Sequence, residues 1–391
     1  MLAISVRFVG GLLAAMMLVS ACAPAAQPTP TQAVPTSAPT AAPKALPAAS
    51  PTAAPKAAPP ASPTAASKAQ AAPPKAPTKV RLGTVGFLSD AGFFIAVEKG
   101  YFKDQGLDVE ITQFDTAAAM VPSLATGQID VGGGAPSASL FNAVARDIRV
   151  KIVADKGSMP LDESYQGLMI RQDLYDAGRF KDYADLKGMK IAIFITGVTG
   201  HVALDRALQK GGLTLNDVEV VVMPAGQQPA ALASGAIDAT VQVEPLITQL
   251  QEQKIAKLVK SINDFYPNQQ QAVVFYSPNF IKDKPDAARS FIVAYLKGVR
   301  YYNDAFAKKN KQALDEVVDI LVKHTTVKNK ALYGKMGMAG LNPNGEVFVK
   351  SLEDDQEWYL SHGLQEARAD INALVDQSFV KYAVQQLGPY K

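Results

Sequence analysis

Residues 124–131, which read Leu-Ala-Thr-Gly-Gln-Ile-Asp-Val, return at residues 232–239 as Leu-Ala-Ser-Gly-Ala-Ile-Asp-Ala. In both copies a helix-forming stretch stops at a glycine and a short apolar strand follows. A proline precedes each copy and another follows it. One such unit can occur in any α/β protein, but two copies in the same register indicate two similar α/β halves in one chain.

Strands and helices alternate on both sides of the first copy. Val80–Val85 is typical of a buried strand, and Leu107–Ile111 alternates as a strand does. Thr116 is placed to cap the helix that begins at Ala117. This order predicts an α/β fold with parallel strands and helices on both faces of each sheet.

Ligands of open α/β sheets bind beyond the carboxyl ends of the strands, near helix N-termini. Five loops hold such positions, at residues 86–90, 115–117, 133–137, 196–201 and 243–245. The loops at 133–137 and 196–201 are expected to present backbone N–H groups at helix starts, which suits an anion or a carbonyl group. The candidate ligand-binding residues on or beside these loops are Phe87, Ser89, Asp90, Thr116, Ala117, Gly134, Ala135, Tyr165, Phe194, Thr196, Thr199, Gly200, His201 and Glu244.

The N-terminus has the pattern of an export signal. Arg7 precedes a short apolar run at 8–18, and small residues at 19–21 lead to Cys22, the only cysteine of the chain. The run is shorter than the ~20 residues that span a bilayer. The pattern resembles the lipobox of bacterial lipoproteins, in which the cysteine is lipidated. It predicts a signal peptide at 1–21 and a lipid anchor on the extracytoplasmic face of the cell membrane, while a plain signal peptide stays an alternative.

Residues 22–78 are almost entirely Ala, Pro, Thr, Ser, Gln and Lys, which predicts a disordered linker without a core. The six basic residues up to position 79 contribute +6 to a net charge of +3, so the remaining residues carry −3. A mildly acidic folded part gives no electrostatic support for binding nucleic acid.

The chain from about Val80 onward resembles the substrate-binding proteins of ABC importers for sulfonates, nitrate and thiamine pyrimidine precursors. The segments that carry the resemblance are Ala96–Phe102, Gly106–Val109, Gly127–Asp130, Asp185–Ala192, Gly235–Ala239 and Glu244-Pro245. The resemblance implies a type II periplasmic-binding-protein fold with a ligand cleft between two lobes. Lobe 1 would hold 79–175 and 271–391, and lobe 2 would hold 176–270. The apolar runs Gln166–Ile170 and Ala272–Tyr276 would be the hinge strands.

The resemblance also implies a monomer that captures a small molecule and delivers it to a membrane permease and its ATPase. A lipoprotein that senses its ligand would have the same sequence features. Some relatives of this fold synthesise the thiamine pyrimidine with a cysteine-rich segment and iron. Here no cysteine lies outside the predicted anchor and three histidines are scattered, so neither catalysis nor a metal or other cofactor is expected.

The side chains on the loops indicate the class of ligand. Asp90 and Glu244 are acidic and no arginine accompanies them, which suits ring N–H groups or hydroxyls better than an anion. Phe87 and Phe194 could stack on a flat ring. Riboflavin is the favoured ligand and a thiamine pyrimidine precursor the next, with sulfonate, nitrate or taurine as the anionic alternative. Asp90 as a helix cap, His201 as a surface residue, and Phe93 and Phe94 as core residues stay open.

Overall fold

The computed structural model describes residues 76–159 and 165–391. The predicted signal peptide, the lipidated Cys22 and the linker up to residue 75 lie outside the described residues. The described part belongs to one compact unit, and none of its helices is both long and apolar enough to cross a membrane.

Two five-stranded sheets organise this part of the chain. Their strands are β1 Thr78–Thr84, β2 Leu107–Gln113, β3 Val131–Gly134, β4 Lys151–Ser158, β5 Gln166–Arg171, β6 Lys190–Ile193, β7 Glu219–Val222, β8 Ala239–Val243, β9 Ala256–Ser261 and β10 Gln270–Tyr276. The strand order is β2-β1-β3-β10-β4 in the first sheet and β7-β6-β8-β5-β9 in the second. The two orders correspond strand by strand.

Helices follow most of the strands and cover the sheets. They are α1 Ala91–Glu98, α2 Tyr101–Asp104, α3 Ala117–Ala125, α4 Ala138–Ala145, α5 Gln172–Asp176, α6 Thr199–Lys210, α7 Gln228–Ser234, α8 Leu246–Glu252, α9 Ile262–Phe265, α10 Pro278–Asp283, α11 Pro285–Phe306, α12 Lys311–His324, α13 Val349–Ser361, α14 Ile371–Leu374 and α15 Ser378–Leu387. Short 3₁₀ turns lie at Leu88–Asp90, Tyr183–Leu186, Leu215–Asp217, Ala225–Gln227 and Lys330–Gly334.

The repeated sequence occupies equivalent places in the two sheets. Its helix and strand are α3 and β3 in one sheet and α7 and β8 in the other. Asp130 accepts a hydrogen bond from the backbone N–H of Arg81 at 2.9 Å, and Asp238 accepts one from the N–H of Lys190 at 3.0 Å. Each aspartate therefore ties the repeat to the neighbouring strand, β1 or β6, and the prediction of two similar α/β halves is confirmed.

The prediction of wholly parallel strands is wrong, because each sheet contains one antiparallel strand. β10 runs antiparallel to β3 and β4, and β5 runs antiparallel to β8 and β9. Each of these two strands comes directly after a strand of the other sheet, since β5 follows β4 in the chain and β10 follows β9. The two predicted hinge strands are these β-strands, and the chain crosses between the sheets before each of them. β5 therefore pairs in the second sheet, although the predicted boundary at 175 places it in lobe 1.

Close helix packing holds the first sheet's outer layer together. α11 is buried along one face and lies against α1. At their crossing, a Cβ atom on Gly298 would lie 2.2 Å from the carbonyl oxygen of Gly92. Only glycine residues allow the two backbones to approach so closely. This packing fixes α1, and with it the end of the loop at residues 86–90 that leads into α1.

Candidate functional site

A cavity of about 150 Å³ lies at the carboxyl ends of β1, β3, β6 and β8, where residues of both sheets meet. Most of the residues predicted from the loops line this cavity. They are Phe87, Ser89, Thr116, Ala117, Gly134, Ala135, Tyr165, Phe194, Thr199, Gly200 and Glu244. The topology brings them together because parallel strands end at the same edge of a sheet.

Asp90, Thr196 and His201 do not line the cavity, which corrects three predicted positions. Asp90 is fully buried. Its Oδ2 accepts the backbone N–H of Phe87 at 3.0 Å, so its side chain caps the 3₁₀ turn Leu88–Asp90. Thr196 is exposed and is not among the lining residues.

His201 faces the opposite side of α6. Its ring packs edge-on against Trp358 of α13 with 4.8 Å between centroids, and its Nδ1 accepts the N–H of Gly197 at 3.4 Å. Burial, assisted by the nearby His362, lowers the pKa of His201 to about 4, so the imidazole is neutral at physiological pH. The partner of His201 is therefore α13 and not a ligand.

Two phenylalanines reach the cavity from opposite sheets. Phe87 follows β1 and is 38% exposed, and Phe194 follows β6 and is 37% exposed. Two of the four exposed large apolar side chains of the described residues thus lie at one cavity, which is a position suited to contact with a ligand. Phe93 and Phe94 are both buried, and Phe93 packs on Tyr295 at 4.8 Å. Both therefore belong to the core.

The two loops expected to offer free N–H groups bind each other. Ala138 N–H donates to the carbonyl of Gly197 at 2.9 Å, and Ser137 forms an isolated β-bridge with Val198. The Oγ of Ser137 also accepts the N–H of Leu140, which caps α4. These contacts join the two halves beside the cavity and occupy donors that the prediction gave to a ligand.

Glutamine side chains form a wall of the cavity that the sequence reasoning missed. Gln271 and Gln166 line the cavity, and the amide of Gln271 donates to the side-chain carbonyl of Gln166. Thr199 donates to Gln271 at 3.2 Å, and Gln269 donates to the backbone carbonyl of Thr199 at 2.9 Å. The run of three glutamines at 269–271, placed just before an apolar strand, was the available signal.

Glu244 is held beside the cavity by three hydrogen bonds. Its carboxylate accepts the N–H and the hydroxyl of Thr248 at 3.0 and 2.8 Å, and the N–H of Gly337 at 3.3 Å. Burial raises the pKa of Glu244, and these donors oppose the rise. Glu244 therefore caps α8 and connects it to the loop after Lys330–Gly334, while part of the residue borders the cavity.

Lys156 on β4 is the second residue that sequence reasoning missed. Its ammonium lies 2.9 Å from Asp90 Oδ1 and donates to Ser89 Oγ at 2.9 Å, and neither charged side chain is exposed. Among the described lining residues, the other charged ones are Asp115 and Glu244. The described residues hold no group of three or more His, Cys, Asp or Glu side chains that could bind a metal.

Comparisons with known proteins agree with this architecture. A model of the family described as NMT1/THI5 like matches residues 89–307. A Brucella abortus protein named only as a candidate binding protein is 32% identical over 200 residues, which are 51% of this chain and 58% of that protein. The Saccharomyces cerevisiae 4-amino-5-hydroxymethyl-2-methylpyrimidine phosphate synthase THI13 is 28% identical over 235 residues, 57% of this chain and 66% of the enzyme. The chain thus spans less than two thirds of these relatives.

Among solved structures, the periplasmic nitrate-binding protein NrtA of Synechocystis superposes with a TM-score of 0.65. The likeness covers 80% of this chain and 89% of that protein at 16% identity. At this identity the comparison concerns the fold, and it confirms the predicted periplasmic-binding-protein class.

Proposed function

The chain belongs to the NMT1/THI5-like family, and we propose that it is the solute-binding component of an ABC importer that captures a neutral aromatic heterocycle. The observation that carries this ligand class is the pair of half-exposed phenylalanines, Phe87 and Phe194, at one cavity from two different sheets. Stacking on a flat ring is the interaction such side chains make best.

The polar wall suits a neutral ring that carries N–H donors. Both amide donors of Gln271 are engaged, with Gln166 and with Gln269. The side-chain oxygen of Gln271 accepts from Thr199, and an amide oxygen has a second lone pair, so this oxygen suits a donor at the edge of a heterocycle. Anionic ligands have less support, because Lys156 is already paired with Asp90. Sulfonate or nitrate would therefore meet a neutralised cation and the carboxylate of Glu244.

The volume of the cavity distinguishes the thiamine pyrimidine precursor from riboflavin. An apolar cavity of roughly 150 Å³ holds a compound the size of benzene, and this cavity has about that volume. This volume is nearer to that of a single-ring compound such as 4-amino-5-hydroxymethyl-2-methylpyrimidine than to that of riboflavin, which has three fused rings and a ribityl chain.

We further propose that the two halves act as a clamp tethered by a lipidated Cys22. Ligand contacts from both sheets would favour the closed arrangement, which would dock on a permease. We assign no catalytic role to the cavity, because Lys156, Asp90 and Glu244 are engaged by partners within the protein.

The test is a binding titration with the full chain, denatured and refolded to remove bound ligand. Riboflavin is followed by fluorescence quenching, and the pyrimidine, ethanesulfonate and nitrate by calorimetry. Saturable binding of either heterocycle at micromolar or lower concentration, with weak anion binding, supports the proposal. Tight binding of ethanesulfonate or nitrate, with neither heterocycle bound, overturns it. Membrane fractionation of Cys22→Ser tests the tether, since loss of the anchor releases the protein.

A further inference from the structure

A buried ion pair lies directly beneath the cavity. Lys156 Nζ and Asp90 Oδ1 are 2.9 Å apart, and both side chains are fully buried. Lys156 nevertheless borders the cavity, and Asp90 does not. Lys156 is therefore a lining residue, while the carboxylate that balances its charge lies outside the lining.

The surrounding backbone fixes both partners. Asp90 Oδ2 accepts the N–H of Phe87 at 3.0 Å, which orients the carboxylate. The stem of Lys156 passes so close to Gly133 that a Cβ there would lie 2.7 Å from Lys156 Cε. The ammonium thus has little room to move between Asp90 and the cavity.

Ser89 transmits the effect of this pair to the cavity surface. Its Oγ accepts a hydrogen bond from Lys156 at 2.9 Å, and the residue lines the cavity. A hydroxyl carries one donor and two acceptor positions. With the oxygen engaged by the ammonium, the hydroxyl hydrogen is left to donate, and polarisation by the charged neighbour strengthens that donor.

We propose that Asp90 sets the charge selectivity of the cavity by neutralising Lys156, so that Ser89 offers its hydroxyl to a neutral acceptor such as a ring nitrogen or carbonyl. Asp90 is thus a positioning residue that acts through Lys156. The inference deepens the proposed function and rests on it for the identity of the neutral ligand. Without Asp90, Lys156 would lack its counter-charge, and an anion in the cavity would take that place by stabilising the charged form of the lysine.

The experiment compares the full chain with Asp90→Asn and Asp90→Glu. Calorimetry measures dissociation constants for ethanesulfonate, nitrate, riboflavin and 4-amino-5-hydroxymethyl-2-methylpyrimidine. We expect Asp90→Asn to bind at least one anion ten times or more tighter than the wild type, while Asp90→Glu keeps the wild-type preference. Circular dichroism and melting establish that each variant is folded. A folded Asp90→Asn that gains no anion affinity overturns the inference.

Removing one member of a buried ion pair is strongly destabilising. Two further variants therefore test the inference even where Asp90→Asn does not fold. Asp90→Asn combined with Lys156→Met removes both charges and should gain no anion affinity. Ser89→Ala keeps the pair and should weaken binding of the neutral heterocycle about tenfold or more, without anion binding. An unchanged heterocycle affinity in Ser89→Ala, or an anion gain in the double variant, contradicts the inference.

The outcomes separate this inference from the proposed function. If the wild type binds neither heterocycle and Asp90→Asn gains an anion, the ligand proposal fails and the selectivity inference holds. If the wild type binds a heterocycle and Asp90→Asn gains nothing, the inference alone fails. Tight anion binding by the wild type overturns both.

Discussion

Truncation of the two cavity phenylalanines is the sharpest test of ring stacking. Phe87→Ala and Phe194→Ala each remove a side chain that is more than one third exposed, 38% and 37%. Because these rings are not part of the buried core, each variant should stay folded and lose ligand affinity. The same phenylalanines would matter little for an anion held by polar groups.

The expected loss follows from the exposed area. A phenylalanine has roughly 200 Å² of surface to bury, of which 38% is exposed at Phe87. If a ligand covers half of that, the gain is about 1 kcal/mol at ~25 cal/mol per Å². Stacking adds about 0.5–1.5 kcal/mol. Each variant should therefore lose about 1.5–2.5 kcal/mol, which is roughly 10- to 70-fold in the dissociation constant.

The assay is calorimetric titration with riboflavin and with 4-amino-5-hydroxymethyl-2-methylpyrimidine. Tyr175→Ala is the matched control, because Tyr175 is 40% exposed and does not line the cavity. It should bind within about twofold of the wild type. Wild-type affinity in both phenylalanine variants would refute the stacking argument, since neither ring would then contact the ligand.

Three further predictions concern stability. Gly298→Ala forces a Cβ to within 2.2 Å of Gly92 O and should cost about 1–3 kcal/mol in urea unfolding; an unchanged midpoint would contradict the close approach. Burial raises the pKa of Asp355 to about 8 from 3.8, so its stabilisation is complete below pH 4 and lost as pH rises to 8, on the order of 5 kcal/mol. Asp355→Asn should flatten that loss between pH 5 and 8, and an equal slope would contradict it. The pKa of His201 is lowered to about 4 from 6.5, so stability falls as pH drops through that range, by at most about 3 kcal/mol. His201→Gln should reduce this acid sensitivity in denaturant titrations at pH 7 and 4.5, and an unchanged sensitivity would contradict it.

Local signals in the sequence were sufficient for the repeat and the loops. The glycine stop and apolar strand recur in register, so both the two halves and the carboxyl-end loops could be predicted. Thr116 caps α3 as expected, accepting the N–H of Ala119 at 3.2 Å. The antiparallel direction of the predicted strands β5 and β10 could not be foreseen, because it depends on which sheet the chain enters and local patterns carry no such information.

The directions in which the loop side chains point could not be predicted from the sequence either. Asp90 was predicted at the ligand because of its position after β1, but a one-turn 3₁₀ segment at Leu88–Asp90 turns its carboxylate inward. His201 lies in the first turn of α6, beside the cavity residues Thr199 and Gly200, and still faces Trp358, since successive residues of a helix point in different directions. Position on a loop predicted proximity to the site, and only tertiary packing determined which atoms face it.

Lys156 shows most clearly why the chemistry of the site required the structure. A lysine near the end of an edge strand is ordinarily solvated, and β4 is the edge of its sheet. Here the Lys156 side chain instead packs against Gly133 and is fully buried. Burial then requires a counter-charge, and Asp90 supplies it. The sequence around residue 156 could not predict this pair, because Gly133 and Asp90 are distant along the chain and only the tertiary fold brings them to Lys156.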